Sequence, residues 1–151
     1  MLLRNWLLPW ARPVWAVGSC VLVLAASAGC GSGSSEGRGG AALVRVTERD
    51  FRIVVAPRRV PAGDVRVVIT NRGPDTHEML IARTRRATLP LRSDGITADE
   101  DALAKDMIKE LDMPARTVHH LQLHLAPGRY ELFCNMFGHY LGGMRAELVV
   151  T

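Results

Sequence analysis

From Ala41 onward, apolar and polar residues alternate along short stretches that are separated by Gly, Pro, Asn and Asp. Alternation with a period of two is typical of β-strands with one buried face. Seven stretches show it, with turn residues between most of them: Leu43 to Glu48, Phe51 to Ala56, Val65 to Thr70, His77 to Ala82, Arg116 to Leu125, Arg129 to Cys134 and Met144 to Val150. We therefore predict an all-β fold, an antiparallel β-sandwich of Greek-key type with about seven strands.

One segment departs from this alternation. Thr97 and Glu100 have the spacing of a capping box, in which a Thr at the N-cap is followed three residues later by a Glu. Apolar residues then follow at helical spacing: Leu103, Met107, Ile108 and Leu111. The pattern predicts one short helix over residues 98–111, in a connection between two strands.

The first 41 residues differ in composition from the rest of the chain. Arg4 and Arg12 are the only charged residues before position 30, and an apolar run extends from Val14 to Ala28. This run is shorter than the roughly 20 residues of a membrane-spanning helix. A positively charged start followed by a short apolar core is typical of a signal peptide.

The residues around Cys30 refine this prediction. Small residues directly before a Cys resemble the lipobox of bacterial lipoproteins, whose Cys becomes the lipidated N-terminus, and residues 31–40 have the composition of a flexible linker. We predict a lipoprotein-type signal peptide over residues 1–29, a flexible linker over residues 30–41 that begins at a lipidated Cys30, and a folded domain over residues 42–151. An ordinary signal peptide that is cleaved nearby is the alternative.

The charge balance and the cysteine count exclude two classes of protein. The chain has 19 Lys and Arg against 15 Asp and Glu, a formal net charge of +4, and only 5% aromatic residues. Its basic residues are spread along the sequence, whereas a nucleic-acid site needs them clustered, usually with stacking aromatics. Three cysteines are too few for a disulfide-stapled small domain. We expect no nucleic-acid partner.

The candidate chemistry is concentrated between Cys134 and Met144. A thiolate, the imidazole of His139 and a thioether lie within these eleven residues, on a loop between two predicted strands, and His77 lies far upstream directly after a turn. Soft sulfur donors with imidazole select copper over hard cations, and two His, one Cys and a weak axial Met compose the ligand set of a blue-copper electron-transfer centre. Met136 is a second candidate thioether.

These residues resemble a known family. Residues 134–144 read C-N-x-x-G-H-Y-x-x-G-M and are similar to the C-terminal copper loop of cupredoxins, particularly sulfocyanin-like and plastocyanin-like members. Residues 71–78, N-x-G-x-x-x-H-E, resemble the strand that delivers the first His, and residues 130–134, Y-x-L-x-C, resemble the strand before the Cys. The resemblance spans residues 44–151 and departs from many relatives at Phe137, where they have Pro. It implies these ligands for one type 1 copper ion: His77, Cys134, His139 and Met144.

The resemblance implies an electron carrier that cycles Cu(II) and Cu(I), and not an enzyme. The alternative is a copper-binding or copper-delivery protein without a redox role, which would need exchangeable ligands in an open, Met-rich or His-rich site. In the family the His of the copper loop lies near the surface. If His139 does so, redox proteins dock transiently on the apolar rim that its neighbours form: Met136, Phe137, Tyr140 and Leu141. We expect a monomer, exported and held at the periplasmic side of the cell envelope by a lipid on Cys30.

A second metal site is not expected from the remaining histidines. His120 and His124 share a face of their predicted strand, but four residues at about 3.3 Å each leave them ~13 Å apart, too far for one ion. His119 shares its face with Leu121 and Leu123, and is expected to be a partly buried structural imidazole.

Overall fold

The computed structural model describes residues 40–151. The predicted signal peptide, the lipidated Cys30 and nearly all of the predicted linker lie outside the described residues. Within the described part, no helix is long and apolar enough to cross a membrane.

Residues 40–151 form nine strands and one helix. In chain order these are β1 (Ala42–Arg49), β2 (Arg52–Ala56), β3 (Arg59–Val60), β4 (Gly63–Asn71), β5 (His77–Thr84), α1 (Glu100–Leu103), β6 (Met107–Met113), β7 (Val118–Leu125), β8 (Gly128–Phe133) and β9 (Arg145–Val150). The strands form a four-stranded sheet in the order β2-β1-β4-β7 and a five-stranded sheet in the order β3-β9-β8-β5-β6. The predicted all-β sandwich is confirmed, and the strands that the alternation missed are β3 and β6.

Both sheets are mixed, so the predicted antiparallel arrangement is correct for five of the seven strand pairs within residues 40–151 and wrong for two. β1 pairs with β4 in parallel and β3 pairs with β9 in parallel, whereas the other neighbours are antiparallel. The chain leaves the first sheet after β2, adds β3 to the second sheet and returns as β4, so that β4 runs in the same direction as β1. Alternation shows which face of a strand is buried, but it does not show the direction of the neighbouring strand.

The core lies between the two sheets. Val46 and Ile69 contribute to it from the first sheet, and Met79, Leu132 and Leu148 contribute from the second. Each of these residues lies on the buried side of an alternating strand, as the sequence predicts. Met79 is fully buried in this cluster.

The predicted helix over residues 98–111 is wrong in length and in its cap. α1 contains only four residues, and its N-cap is Asp99, whose carboxylate accepts a hydrogen bond from the Ala102 amide at 3.1 Å. The Thr97 hydroxyl instead donates to the Asp94 carboxylate. Met107–Met113 forms strand β6, because Met107, Leu111 and Met113 also fit a period of two and pairing with β5 satisfies its backbone, whereas Ile108 lies on the exposed face.

Residues 85–106, which we call the outer segment, connect β5 to β6. Leu89, Ala98 and Leu103 from this segment form a second buried apolar cluster with Leu80 and Phe133 of the five-stranded sheet. Those two sheet residues alternate with Met79 and Leu132, which face the core. The outer segment therefore covers the outward face of this sheet, and β5 is buried on both faces.

Candidate metal centre

Three of the four residues that the resemblance implies as ligands converge at one end of the sandwich. His77 opens β5, Cys134 directly follows β8, and His139 lies in the loop between β8 and β9. One donor atom from each lies within 4.8 Å of the others, and the Cys134 Sγ atom is 3.4 Å from His139 Nδ1. They meet because β5 and β8 are antiparallel neighbours, so that the start of one lies beside the end of the other.

The imidazole of His77 is fully buried and has a ring nitrogen that could bind a metal ion. Its Nε2 lies 3.0 Å from the Asp50 carboxylate, but neither ring nitrogen makes a well-aligned hydrogen bond within residues 40–151. Burial lowers the pKa of His77, and the charge of Asp50 opposes this shift. A buried nitrogen without a partner costs free energy. A neutral imidazole with a free lone pair is the form that binds a metal ion.

The motif upstream of His77 holds this imidazole in place. The Asn71 side chain accepts a hydrogen bond from the Gly73 amide at 2.8 Å, and it donates to the carbonyl oxygens of Asp75 and Met113, each at 2.8 Å. A Cβ atom on Gly73 would lie 3.1 Å from His77 Nε2. The Asn and the Gly of this motif therefore shape the turn that delivers the imidazole.

The thiol of Cys134 is buried and has a backbone amide among its polar contacts. The backbone amide of Glu78 donates to its Sγ atom at 3.3 Å. Burial raises the pKa of Cys134 to about 11, and the charge of Glu48 adds to this shift. In the metal-free protein the thiol is protonated at neutral pH, so a metal ion that binds here displaces a proton.

Met144, the predicted axial ligand, lies beside two of these residues through its backbone. Its amide donates to the His139 carbonyl at 3.0 Å, and its carbonyl accepts from the Cys134 amide at 3.0 Å. Its side chain is fully buried in the same core cluster as Cys134, whereas Met136 is partly buried against that cluster. Gly143 has a φ of +107°, a conformation that favours glycine, in the turn before Met144. The ligand role of Met144 stays a prediction.

No protein-family model and no curated protein matches the sequence. Among solved structures, dithionite-reduced auracyanin from Roseiflexus castenholzii matches at 18% identity over 75% of this chain and 99% of that one, with a TM-score of 0.52. Auracyanin A, a "blue" copper protein from Chloroflexus aurantiacus, matches at 14% identity over 74% and 100%, with a TM-score of 0.52. Rusticyanin from Thiobacillus ferrooxidans matches at 17% identity over 74% and 79%, with a TM-score of 0.53. The fold is that of a cupredoxin.

Within this cupredoxin fold, the donor set fits a single copper ion. Two imidazoles and one thiol come together, and sulfur with imidazole donors favours copper over the hard cations. The buried imidazole of His77, whose ring nitrogens have no hydrogen-bond partner within residues 40–151, is the structural observation that such an ion explains.

The surface around the half-buried His139 exposes apolar side chains, but its composition differs from the predicted rim. Phe137 is 76% exposed and Leu141 is 55% exposed, as the rim requires. Tyr140 is only 1% exposed and does not belong to it, because its ring packs against Phe133 and its hydroxyl is hydrogen-bonded inside the protein. The prediction for Tyr140 is therefore wrong.

The rim contains one residue that sequence reasoning missed. Phe51 lies in the turn between β1 and β2, is 53% exposed and meets the His139 ring edge to face, with ring centroids 5.1 Å apart. Phe51, Ile53 and Val55 are each two residues apart, so alternation predicts that Phe51 is buried in the same strand. The turn places it on the surface instead, and no local signal in the sequence shows that this turn lies against the loop of His139.

The remaining histidines lie on β7. His120 and His124 are exposed and His119 is half-buried, as their alternation predicts. The His124 Nδ1 atom lies 2.8 Å from the Asp64 carboxylate on the neighbouring strand, where both side chains are exposed. This pair is a surface contact between two strands.

Proposed function

We propose that the protein is a type 1 (blue) copper electron-transfer protein. The observation that carries this proposal is the convergence of His77, Cys134 and His139 within 4.8 Å at one end of a cupredoxin fold. Met144 is the proposed axial ligand. Auracyanin A is described as a "blue" copper protein, which supports the same chemistry here. Copper held by these residues would cycle between Cu(II) and Cu(I).

The chain supplies a site whose donors are held in place. His77 belongs to a strand that is paired on both sides, and Cys134 is held by the backbone hydrogen bond from its amide to Met144. Donors held in this way move little when the charge of the site changes, and an electron carrier benefits from such a site.

The burial of the donors argues against a copper-delivery protein. Delivery by ligand exchange needs donors that an incoming partner can reach, whereas His77 and Cys134 are fully buried. Only the His139 ring comes near the surface. We therefore favour the carrier over the delivery protein.

The apolar rim around His139 is the proposed docking surface for redox proteins. Phe51, Phe137 and Leu141 expose apolar side chains from two different loops next to this imidazole. Electron-transfer encounters are typically small and transient. A rim of three side chains suits such an encounter, and the partner electron would enter or leave through the His139 ring.

We further propose that the protein is exported and anchored by a lipid on Cys30. The positively charged start, the short apolar core and the small residues before Cys30 support this proposal. A flexible linker over residues 31–40 has a root-mean-square reach of about 17 Å. It would keep the domain near a membrane and let it turn toward membrane-bound redox partners. Mass spectrometry of the native N-terminus tests the anchor, and an unmodified mature terminus in the soluble fraction would rule it out.

The visible spectrum of the copper-loaded, oxidised protein tests the proposed centre. A covalent bond between copper and the Cys134 thiolate predicts intense charge-transfer absorption that disappears on reduction. The Cys134→Ser variant should lack this absorption, whereas Glu110→Gln, at an exposed position on β6, should keep it. A Cys134→Ser variant that remains blue would contradict the assignment.

A further inference from the structure

Two side chains next to the proposed ligands point away from the metal centre and into the outer segment. Asn135 directly follows Cys134, and Tyr140 directly follows His139. Both are buried, although the loop that carries them also exposes Phe137 and Leu141. Each of these two proposed ligands is therefore followed by a residue that is anchored on the outward face of the sheet.

Asn135 ties the loop to the start of α1. Its side-chain oxygen accepts a hydrogen bond from the Ala98 amide at 2.7 Å, and its nitrogen donates to the Ala98 carbonyl at 3.0 Å and to Glu100 Oε1 at 2.5 Å. Both N–H groups of the amide are used, and so is its oxygen. The side chain is in effect paired with the backbone of the outer segment.

Tyr140 anchors the other half of the loop. Its hydroxyl donates to Glu131 Oε1 at 3.0 Å and accepts from the Leu89 amide and from Arg145, each at 3.1 Å. A tyrosine hydroxyl has one donor and two acceptor positions, so its capacity is filled. Its ring packs edge to face on Phe133, at a centroid distance of 5.7 Å, within the second apolar cluster.

The loop closes turns on itself through backbone hydrogen bonds, such as those from the His139 amide to the Met136 carbonyl and from the Met144 amide to the His139 carbonyl. The ladder between β8 and β9 ends before the loop, and no backbone hydrogen bond within residues 40–151 joins the loop to the outer segment. The side chains of Asn135 and Tyr140 therefore make this connection. We infer that the outer segment, residues 85–106, is an external clamp that holds Cys134 and His139 at metal-binding distance, with Asn135 and Tyr140 as the positioning residues. The inference rests on the proposed copper site, but the clamp itself is a property of the metal-free chain.

Two variants remove the anchors without touching a proposed donor: Asn135→Ala and Tyr140→Phe. Thr97→Val is the control for the first, since it removes a hydrogen bond to Asp94 that lies wholly within the outer segment. Tyr130→Phe is the control for the second, since its hydroxyl bonds the Ala126 carbonyl away from the loop. Two quantities are measured: Cu(II) release to excess EDTA from the loaded protein, and amide hydrogen exchange over residues 134–144 in the copper-free protein.

Asn135→Ala and Tyr140→Phe should each release copper about 10- to 100-fold faster than the wild type, the usual effect of losing a group that orients a ligand. Both should also speed exchange over residues 134–144, while the two controls match the wild type. Wild-type release rates in both anchor variants, or equal acceleration in the controls, would overturn the clamp. If the wild type binds no copper, the proposed function fails, and hydrogen exchange in the copper-free protein alone decides the clamp. If Asn135→Ala does not fold, Tyr140→Phe decides, because it keeps the packed ring.

Discussion

Glu48 is a buried carboxyl group whose protonation should govern the pH dependence of folding. It lies near the end of β1 on the core-facing side, in line with Val44 and Val46, and is 0% exposed. Neither of its carboxyl oxygens has a hydrogen-bond partner within residues 40–151. Burial raises the pKa of Glu48 from 4.5 to about 8. The folded metal-free protein therefore keeps this proton at neutral pH.

The sign of the effect follows from the raised pKa. The unfolded chain releases the proton of Glu48 near pH 4.5, whereas the folded protein holds it up to about pH 8. The contribution of the neutral carboxyl to stability is complete below pH 4.5 and is lost as the pH rises through 8. The loss accumulates at about 1.4 kcal/mol for each pH unit. It amounts to less than about 1 kcal/mol at pH 5 and up to about 3 kcal/mol at pH 7.

The perturbation is Glu48→Gln, which keeps the shape of the side chain but stays neutral at every pH. The variant should match the wild type at pH 4.5 and exceed its stability increasingly toward pH 8. Urea unfolding of the reduced, copper-free protein, followed by far-UV circular dichroism, measures the difference. With a slope of about 1–3 kcal/mol per molar urea, a gap of about 3 kcal/mol moves the midpoint by roughly 1–3 M.

Glu110→Gln is the matched control, because Glu110 is exposed on β6 and the substitution removes the same charge. Its difference from the wild type should stay within about 0.5 kcal/mol at every pH. Titration of His77 affects all three proteins alike and cancels in the differences. A gap between Glu48→Gln and the wild type that is constant from pH 5 to pH 8 would refute the reasoning, since it would mean that Glu48 ionises normally.

Two further predictions concern the proposed copper site and its rim. Met144→Leu should keep copper bound and raise the reduction potential by on the order of 60 mV, a tenfold change in the redox equilibrium constant. Met136→Leu should leave the reduction potential unchanged. The opposite result in voltammetry would mean that Met136 is the axial ligand. Phe51→Ser should leave the visible spectrum unchanged and slow electron exchange with a docking partner roughly tenfold, equivalent to about 1.4 kcal/mol. The control Ile108→Ser, at an exposed position on edge strand β6, should not slow this exchange. Equal rates for both variants in stopped-flow measurements would remove Phe51 from the docking surface.

Much of the candidate site could be predicted because its information is local. Cys134, His139 and Met144 lie within one short loop, so their closeness does not depend on how distant strands pack. His77 could be predicted for another reason, because Asn71 and Gly73, which shape its turn, precede it within a few residues. The structure brings the two histidines and the cysteine together, as the resemblance implied.

The errors arose where a local pattern was compatible with two structures. Leu103, Met107 and Leu111 fit the spacing of a helix and also that of a strand, and pairing of Met107–Met113 with β5 selected the strand. Tyr140 follows the proposed ligand His139 on a loop that also exposes Phe137 and Leu141, and its burial depends on Leu89 of the outer segment and on Phe133 and Glu131 of β8. In both cases the deciding contact comes from a residue that is distant in the sequence.

By itself, the sequence determined which faces of most strands are buried, where the chain turns and which donor atoms are available, because these depend on residue type and short-range periodicity. The tertiary structure alone decided that β1 and β4 run in parallel, that Phe51 lies against His139 and that the outer segment holds the ligand loop. These features depend on contacts between segments far apart along the chain. Alternation along a strand does not show which strand, turn or loop lies beside it, because packing of the whole domain determines these neighbours.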